Sequence, residues 1–315
     1  MIKTPKPVKP RSFTDPDEAF SAVRDIYESQ TAFLREHFLA FAAGKNGSEK
    51  FRACYPYLKI STTTARRSDS RLSYGFVPRP GTYTTTLTRP DIFDHYDREQ
   101  IRLLLLNHDV PVEIGVSDVP IPIHFALGED FHLERDLDQL QIETFAERFD
   151  QPDLNLMDDQ IANGLYHPPS GTPGPLALFD APRTDLSIMR LKHYTGTTAK
   201  NFQNYVIYTN YQFYIDEFIK IAHGLMMNDK TEGYTAFVEP GNKITASRHT
   251  PDAGKDHDGV PLSRMPQMPA YHLKRPDGSG ITMINIGVGP SNAKNITDHV
   301  AVLRPHAWLM LGHCA

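Results

Sequence analysis

The sequence predicts an α/β protein, with an α+β amino-terminal domain followed by a layered α/β domain. Three observations predict it. Apolar residues recur every three or four positions from Phe20 to Phe41, β-branched and aromatic runs fill residues 57–88, and residues 281–315 read as strand, glycine turn, helix and strand. With 315 residues, 40% hydrophobic and 23% charged, the chain has enough apolar surface for two cores and is not composed like a disordered protein.

Residues 1–12 are lysine- and proline-rich and read as a flexible tail. Asp15 then caps a long helix, with Pro16 at its first position and Asp17 and Glu18 at the positive end of the dipole. Phe20, Val23, Ile26, Tyr27, Phe33, Leu34, Phe38 and Phe41 form its apolar stripe, and Gly44 ends it. YLKISTTT, RLSYGFV and TYTTTLT are expected to be antiparallel strands, Pro90-Asp91 opens a helix to about His108, and VPVEIGVS and IPIHFAL supply two more strands. An acidic stretch covers residues 129–159, and the Pro/Gly-rich residues 166–183 form a loop near a domain junction. A short helix is expected over 184–193. NYVIYTN is then a buried strand feeding the helical pattern YQFYIDEFIKIAHGLMM, and TAFVEP, PAYHLKR, GITMINIG and HAWLML are further strands, the last two joined by a helix over 291–303. The expected division is a tail over 1–12, an α+β domain over 13–180, a linker helix over 181–202 and an α/β domain over 203–315, with the boundary near Gln203.

The 33 basic and 38 acidic side chains leave a net charge of -5, which gives no electrostatic footprint for nucleic acid or an anionic membrane. Two cysteines, Cys54 and Cys314, form no disulfide framework and have no zinc-ligand spacing; the expectation is a cytoplasmic protein without a metal site. Cys314 reads as a packing residue. The amino terminus has no apolar signal region, and no apolar run is long enough to span a bilayer.

Four segments have residue types suited to chemistry. Gly287, Val288, Gly289 and Ser291 lie in a strand-to-helix turn, where glycines admit a ligand and helix N–H groups favour an anion or hydroxyl; packing alone also explains such a turn. His313 lies at a strand end, where open α/β sheets bind ligands, and a structural histidine fits there too. Thr209, Asn210 and Tyr211 occupy another strand end and suit a sugar or phosphate as well as a helix cap. Arg79, Thr84, Thr86 and Arg89 suit phosphate or an effector, or equally a plain amphipathic strand.

Seven blocks in order, GTYTTTLTRP, GLYHP, LKHYTGT, YTNYQFYIDEF, MPAYHL, NIGVGPSNAKNITDHVAVLRP and WLMLGHC, resemble those of the AMP nucleosidase family. The resemblance implies a regulatory domain followed by a catalytic domain of nucleoside phosphorylase-like, three-layer α/β fold, incomplete at the carboxyl end. It implies hydrolysis of the N-glycosidic bond of AMP to adenine and ribose 5-phosphate, in purine metabolism and salvage. Homohexamers, activation by MgATP, inhibition by phosphate and no cofactor for the chemistry are also implied. Related phosphorylases hold phosphate with arginines at the first strand end and beside the sequence matching residues 312–314. Here Phe213 and Met310 stand at those places, which favours water over phosphate as acceptor. The alternatives are a nucleoside phosphorylase and a non-catalytic nucleotide-binding module. The family's acid is expected after residue 314, so no catalytic residue is assigned and low activity is expected of these 315 residues. Residues 306–311 would be a core strand whose apolar surface needs covering.

Overall fold

In a computed structural model the chain is described at residues 1–45, 47–64, 74–128, 131, 137–227, 233–247 and 262–313, and forms two compact units, Met1–Leu186 and Ser187–Ala315. The α/β class is observed. No helix among the described residues is long and apolar enough to cross a membrane.

Unit 1 is α+β. Its strands are β1 (Ile2–Lys3), β2 (Arg11–Phe13), β3 (Lys50–Phe51), β4 (Cys54–Thr62), β5 (Gly81–Thr86), β6 (Val112–Pro120) and β7 (Gly174–Pro175). Its helices are α1 (Pro16–Ala42), α2 (Pro90–His108), α3 (Ile123–Leu127) and α4 (Gln139–Arg148). A five-stranded sheet runs β2-β6-β4-β5-β7, and β1 pairs with β3, so the amino-terminal residues include two short strands. Asp15 caps α1 as expected, accepting from the N–H groups of Asp17 and Glu18, both at 2.9 Å. Phe20, Val23 and Ile26 of α1 pack with Leu58, Ile60, Val112 and Ile114 of the sheet. Farther along, Phe38 and Phe41 meet Phe149 with ring centroids 5.8 and 5.6 Å apart.

Two strand expectations are corrected. Of RLSYGFV, residues 71–73 lie outside the described residues, and residues 74–77 form no strand. Side chains of α2 take the place of a ladder: Tyr74 N–H donates to Gln100 Oε1 at 3.0 Å, Val77 N–H to His108 Nε2 at 2.9 Å, and Asn107 Nδ2 donates to the Gly75 carbonyl at 2.8 Å. Residues 123–127 of IPIHFAL form α3: Pro122 at its N-cap has no N–H to extend the ladder, and the Ile123 N–H donates to the Asp150 carbonyl at 3.0 Å. The acidic stretch contains α4, opened by an Asp138–Gln141 capping box.

Helix α5 (Ala181–Thr195) begins in unit 1. Asp185 on it is buried and receives the Tyr55 hydroxyl at 2.7 Å and the Thr88 hydroxyl at 2.8 Å.

Unit 2 contains α6 (Gln212–Met227), α7 (Pro290–Val300) and the strands β8 (Tyr205–Thr209), β9 (Ala236–Glu239), β10 (Lys243–Ser247), β11 (Ala270–Lys274), β12 (Ile281–Asn285) and β13 (Ala307–Leu311). The sequence reading did not anticipate β10. The sheet order is β10-β9-β11-β12-β8-β13, with β12, β8 and β13 parallel. One cluster joins Val206, Tyr208 and Ile284 to Leu191 of α5 and to Ile296 and Val300 of α7; another joins Met283, Phe237 and Leu273 to Ile215 and Phe218 of α6. The unit is therefore three-layered. β13 is an edge strand with Trp308, Leu309 and Met310 49%, 60% and 52% exposed, so the apolar surface expected to need a cover is present.

Burial raises the Asp185 carboxyl to about 6. A folded-state value above the unfolded one contributes stability below the unfolded pKa and loses it as pH rises through the folded one. Urea unfolding of wild type and Asp185→Asn should show wild type gaining, relative to the variant, on the order of 3 kcal/mol as pH falls from about 7 to about 4. An unchanged difference would contradict this assignment.

Candidate functional site

The parallel register of unit 2 fixes where its strand ends meet. Asn285 and Leu311 both lie opposite Thr209, so the chain leaves β12, β8 and β13 along one edge of the sheet. That edge gathers Asn210 and Tyr211, the 287–291 turn, and Gly312 with His313, which are three of the four candidate segments.

Each strand end is held by its own polar contacts. Thr209 is fully buried; its carbonyl accepts the Ile286 N–H at 2.8 Å and its hydroxyl accepts the Tyr211 N–H at 3.2 Å. Thr209 thus shapes the turn, while Asn210 and Tyr211 are exposed beyond it. Gly287 and Gly289 have φ of 62° and 116°, which side-chain-bearing residues rarely adopt. Gly289 is the N-cap of α7 and offers no capping side chain to the first-turn N–H groups. Val288 is 86% exposed, and Ser291 is also exposed.

A relay of amide side chains that sequence reasoning missed sets this turn. The Gly287 N–H donates to Asn285 Oδ1 at 3.0 Å, Asn285 Nδ2 donates to Gln212 Oε1 at 3.0 Å, and Gln212 Nε2 donates to Asp216 Oδ1 at 2.9 Å. A backbone N–H can only donate and a carboxylate can only accept, so both amide orientations are determined. On the other side, Asn292 Nδ2 donates to the Ile286 carbonyl at 3.0 Å, which leaves its Oδ1 to accept Gln267 Nε2 at 3.1 Å. The signal available in the sequence was the run of Asn and Gln beside strand ends.

His313 is the third wall. Its Nε2 shares a hydrogen bond with the Tyr214 hydroxyl at 3.0 Å, and its ring lies 4.8 Å from the Tyr211 ring centroid. Two tyrosines and an imidazole give this edge an aromatic surface suited to stacking a planar base. Cys314 lies outside the described residues. None of the described residues that bond or stack within this cluster is an arginine or lysine. Phe213 is 62% exposed in the first turn of α6.

The fourth candidate segment is in unit 1 and is not brought into one constellation. Thr84 and Thr86 line a cavity on the sheet. Arg79 is exposed, with its carbonyl accepting the Tyr83 hydroxyl at 3.1 Å, while Arg89 holds Asp91 through two hydrogen bonds of 2.9 and 3.1 Å.

Residues 18–173 match the family model for the bacterial AMP nucleoside phosphorylase N-terminus. The AMP nucleosidases of Escherichia coli strain K12 and Escherichia coli O157:H7 are each 35% identical over 315 aligned positions, covering 95% of this chain and 61% of theirs. This chain is similar in sequence to the AMP nucleosidases. It spans about 61% of the length of the curated AMP nucleosidases it matches. A crystal structure of AMP nucleosidase from Bacteroides thetaiotaomicron VPI-5482 overlaps 42% of this chain and 40% of its own at 22% identity and a TM-score of 0.27, too partial an overlap to assign a fold.

Backbone geometry at the turn sets opposite expectations for two glycines. At Gly289 an added Cβ would meet only Ser291 Oγ, at 3.9 Å, so strain at φ 116° decides. Gly289→Ala should therefore lower unfolding free energy by about 1–3 kcal/mol. Gly224, inside α6 with nothing within 4 Å of an added Cβ, should gain about 0.5–1 kcal/mol as alanine. Urea midpoints measure both, and equal shifts would contradict the turn geometry.

Proposed function

We propose that this chain acts in hydrolysis of the N-glycosidic bond of AMP, giving adenine and ribose 5-phosphate, with the nucleotide at the carboxyl edge of the unit 2 sheet. The observation that supports it is the coincidence of two facts. The chain is 35% identical to AMP nucleosidases along 95% of its length, and its parallel strands bring Asn210, Tyr211, the 287–291 turn and His313 to one edge. Tyr211 and His313 suit the adenine ring, Asn210 the ribose hydroxyls, and the uncapped start of α7 an anionic or hydroxylic group.

Hydrolysis adds water across the C1–N9 bond. Oxygen joins C1, the bond pair leaves with adenine, and a proton neutralises the leaving base. The acceptor decides between the two reaction names in the matches. Phosphorolysis needs cationic groups to hold a phosphate nucleophile, whereas a positioned water needs only neutral donors and acceptors. The amide relay, the tyrosines and His313 provide the second environment, which supports hydrolysis.

The finer expectations belong to the same proposal: a homohexamer in the cytoplasm, serving purine salvage, activated by MgATP, inhibited by phosphate, and needing no metal or cofactor for bond cleavage. Their support is the family likeness, with residues 18–173 matching an amino-terminal domain model.

Incubating the protein with AMP in phosphate buffer and separating the products tests the reaction. Slow release of adenine and ribose 5-phosphate in equal amounts is expected, in line with the low activity expected of these 315 residues. Phosphate on C1 of the sugar would show phosphorolysis, and bound AMP that stays intact would show a binding module. Calorimetric titration tests the location independently: Tyr211→Ala should weaken AMP binding by about tenfold. Unchanged affinity would move the base elsewhere.

A further inference from the structure

The sheet of unit 1 has a second face that its main core does not use. Alternation along β4 sends Leu58 and Ile60 into the cluster with α1, so Tyr57 and Lys59 project from the other side. Their cross-strand partners are Thr86 and Thr84 on β5, and Gly115 and Glu113 on β6. Gly115 lets the Tyr57 ring lie flat on the sheet: a Cβ there would stand 2.7 Å from Tyr57 Cε1 and 2.9 Å from its hydroxyl oxygen. With Tyr166 and Asp180, this floor bounds a cavity of about 440 Å³, within the range of small-molecule sites.

Charge decides what it accepts. Lys59 is the one cation among the described lining residues, and its ammonium lies 2.6 Å from the Glu113 carboxylate, which also receives the Tyr57 hydroxyl at 2.6 Å. Asp118 and Asp180 also line the cavity, and Lys59 is the cation that the described lining residues set against them. Asp180 accepts the Arg183 N–H at 3.1 Å, and burial pushes its carboxyl above the ordinary value, with the Asp158 charge adding to the rise and the Arg183 charge opposing it. A free phosphate or a nucleotide polyphosphate entering here meets like charge; an ammonium or guanidinium meets opposite charge and two tyrosine rings.

We propose that this cavity is a binding site for a small organic cation, an amine or guanidinium compound, with Asp118 and Asp180 as its counter-charges and the hydroxyls of Thr84 and Thr86 along its length. This proposal does not depend on the reaction assigned to unit 2. Thr86 Oγ1 also accepts the Ala181 N–H, at the first residue of α5, at 3.0 Å. A ligand that rotates Thr86 therefore acts on the start of that helix.

The test is calorimetric titration of the full chain with agmatine, beside inorganic phosphate. Asp118 is exposed, so its substitution leaves the core intact. Agmatine should bind wild type saturably, Asp118→Asn should weaken it about tenfold, and Asp118→Lys should abolish it. Gly115→Ala, which changes no charge but displaces the Tyr57 ring, should weaken it too. The proposal is overturned if agmatine does not bind wild type, if Asp118→Lys binds it as tightly as wild type, or if phosphate displaces it from the cavity.

Discussion

The in-register parallel pairing of β12, β8 and β13 is the constraint on which the candidate site depends. Parallel strands with the same register must release their chains at the same level. Thr209 faces Asn285 on one side and Leu311 on the other, so a polar turn, a glycine turn and a histidine arrive together. A two-residue slip of β13 would carry His313 about 6–7 Å along the sheet and away from Tyr214. The apolar clusters hold β8 and β12 between helix layers, whereas β13 joins them through Leu311.

Both units stabilise their polar segments by pairing groups whose donor or acceptor role is fixed. The relay from Gly287 N–H to Asp216 has one possible direction, and its two amides hold a turn that glycine alone would leave free. In unit 1, Asp185 accepts two hydroxyls that cost little to orient, and the 74–77 segment is held by α2 side chains. The unit 1 bonds are buried, so losing one would strand a polar partner, which makes them more costly to break than the exposed bonds of the relay.

Much of this was legible from local rules. The Asp15-Pro16 start, the long amphipathic helix, the strand β8 feeding α6 and the three strand-end segments all follow from capping and periodicity, which act within a few residues. The misread segments depended on partners far along the chain. Tyr74 and Val77 have strand-like neighbours, yet their backbone groups are taken by Gln100 and His108. IPIHFAL alternates like a strand, yet the Ile123 N–H is taken by the Asp150 carbonyl at 3.0 Å and residues 123–127 form α3. For the same reason the relay through Gln212 and Asn285 was invisible: the two residues lie 73 positions apart, and neither carries a motif of its own. The pairing of Thr84 and Thr86 with arginines was suggested by sequence proximity, whereas the fold gives Arg89 to Asp91 and the threonines to a cavity.

The central claim is that one sheet edge, assembled by register, receives the nucleotide. Backbone amide NMR of the isotope-labelled chain titrated with AMP tests it most directly. The account predicts that residues 209–211, 285–291 and 312–313 shift together along a single saturation curve. Shifts confined to unit 1, or separate curves for the three segments, would contradict it.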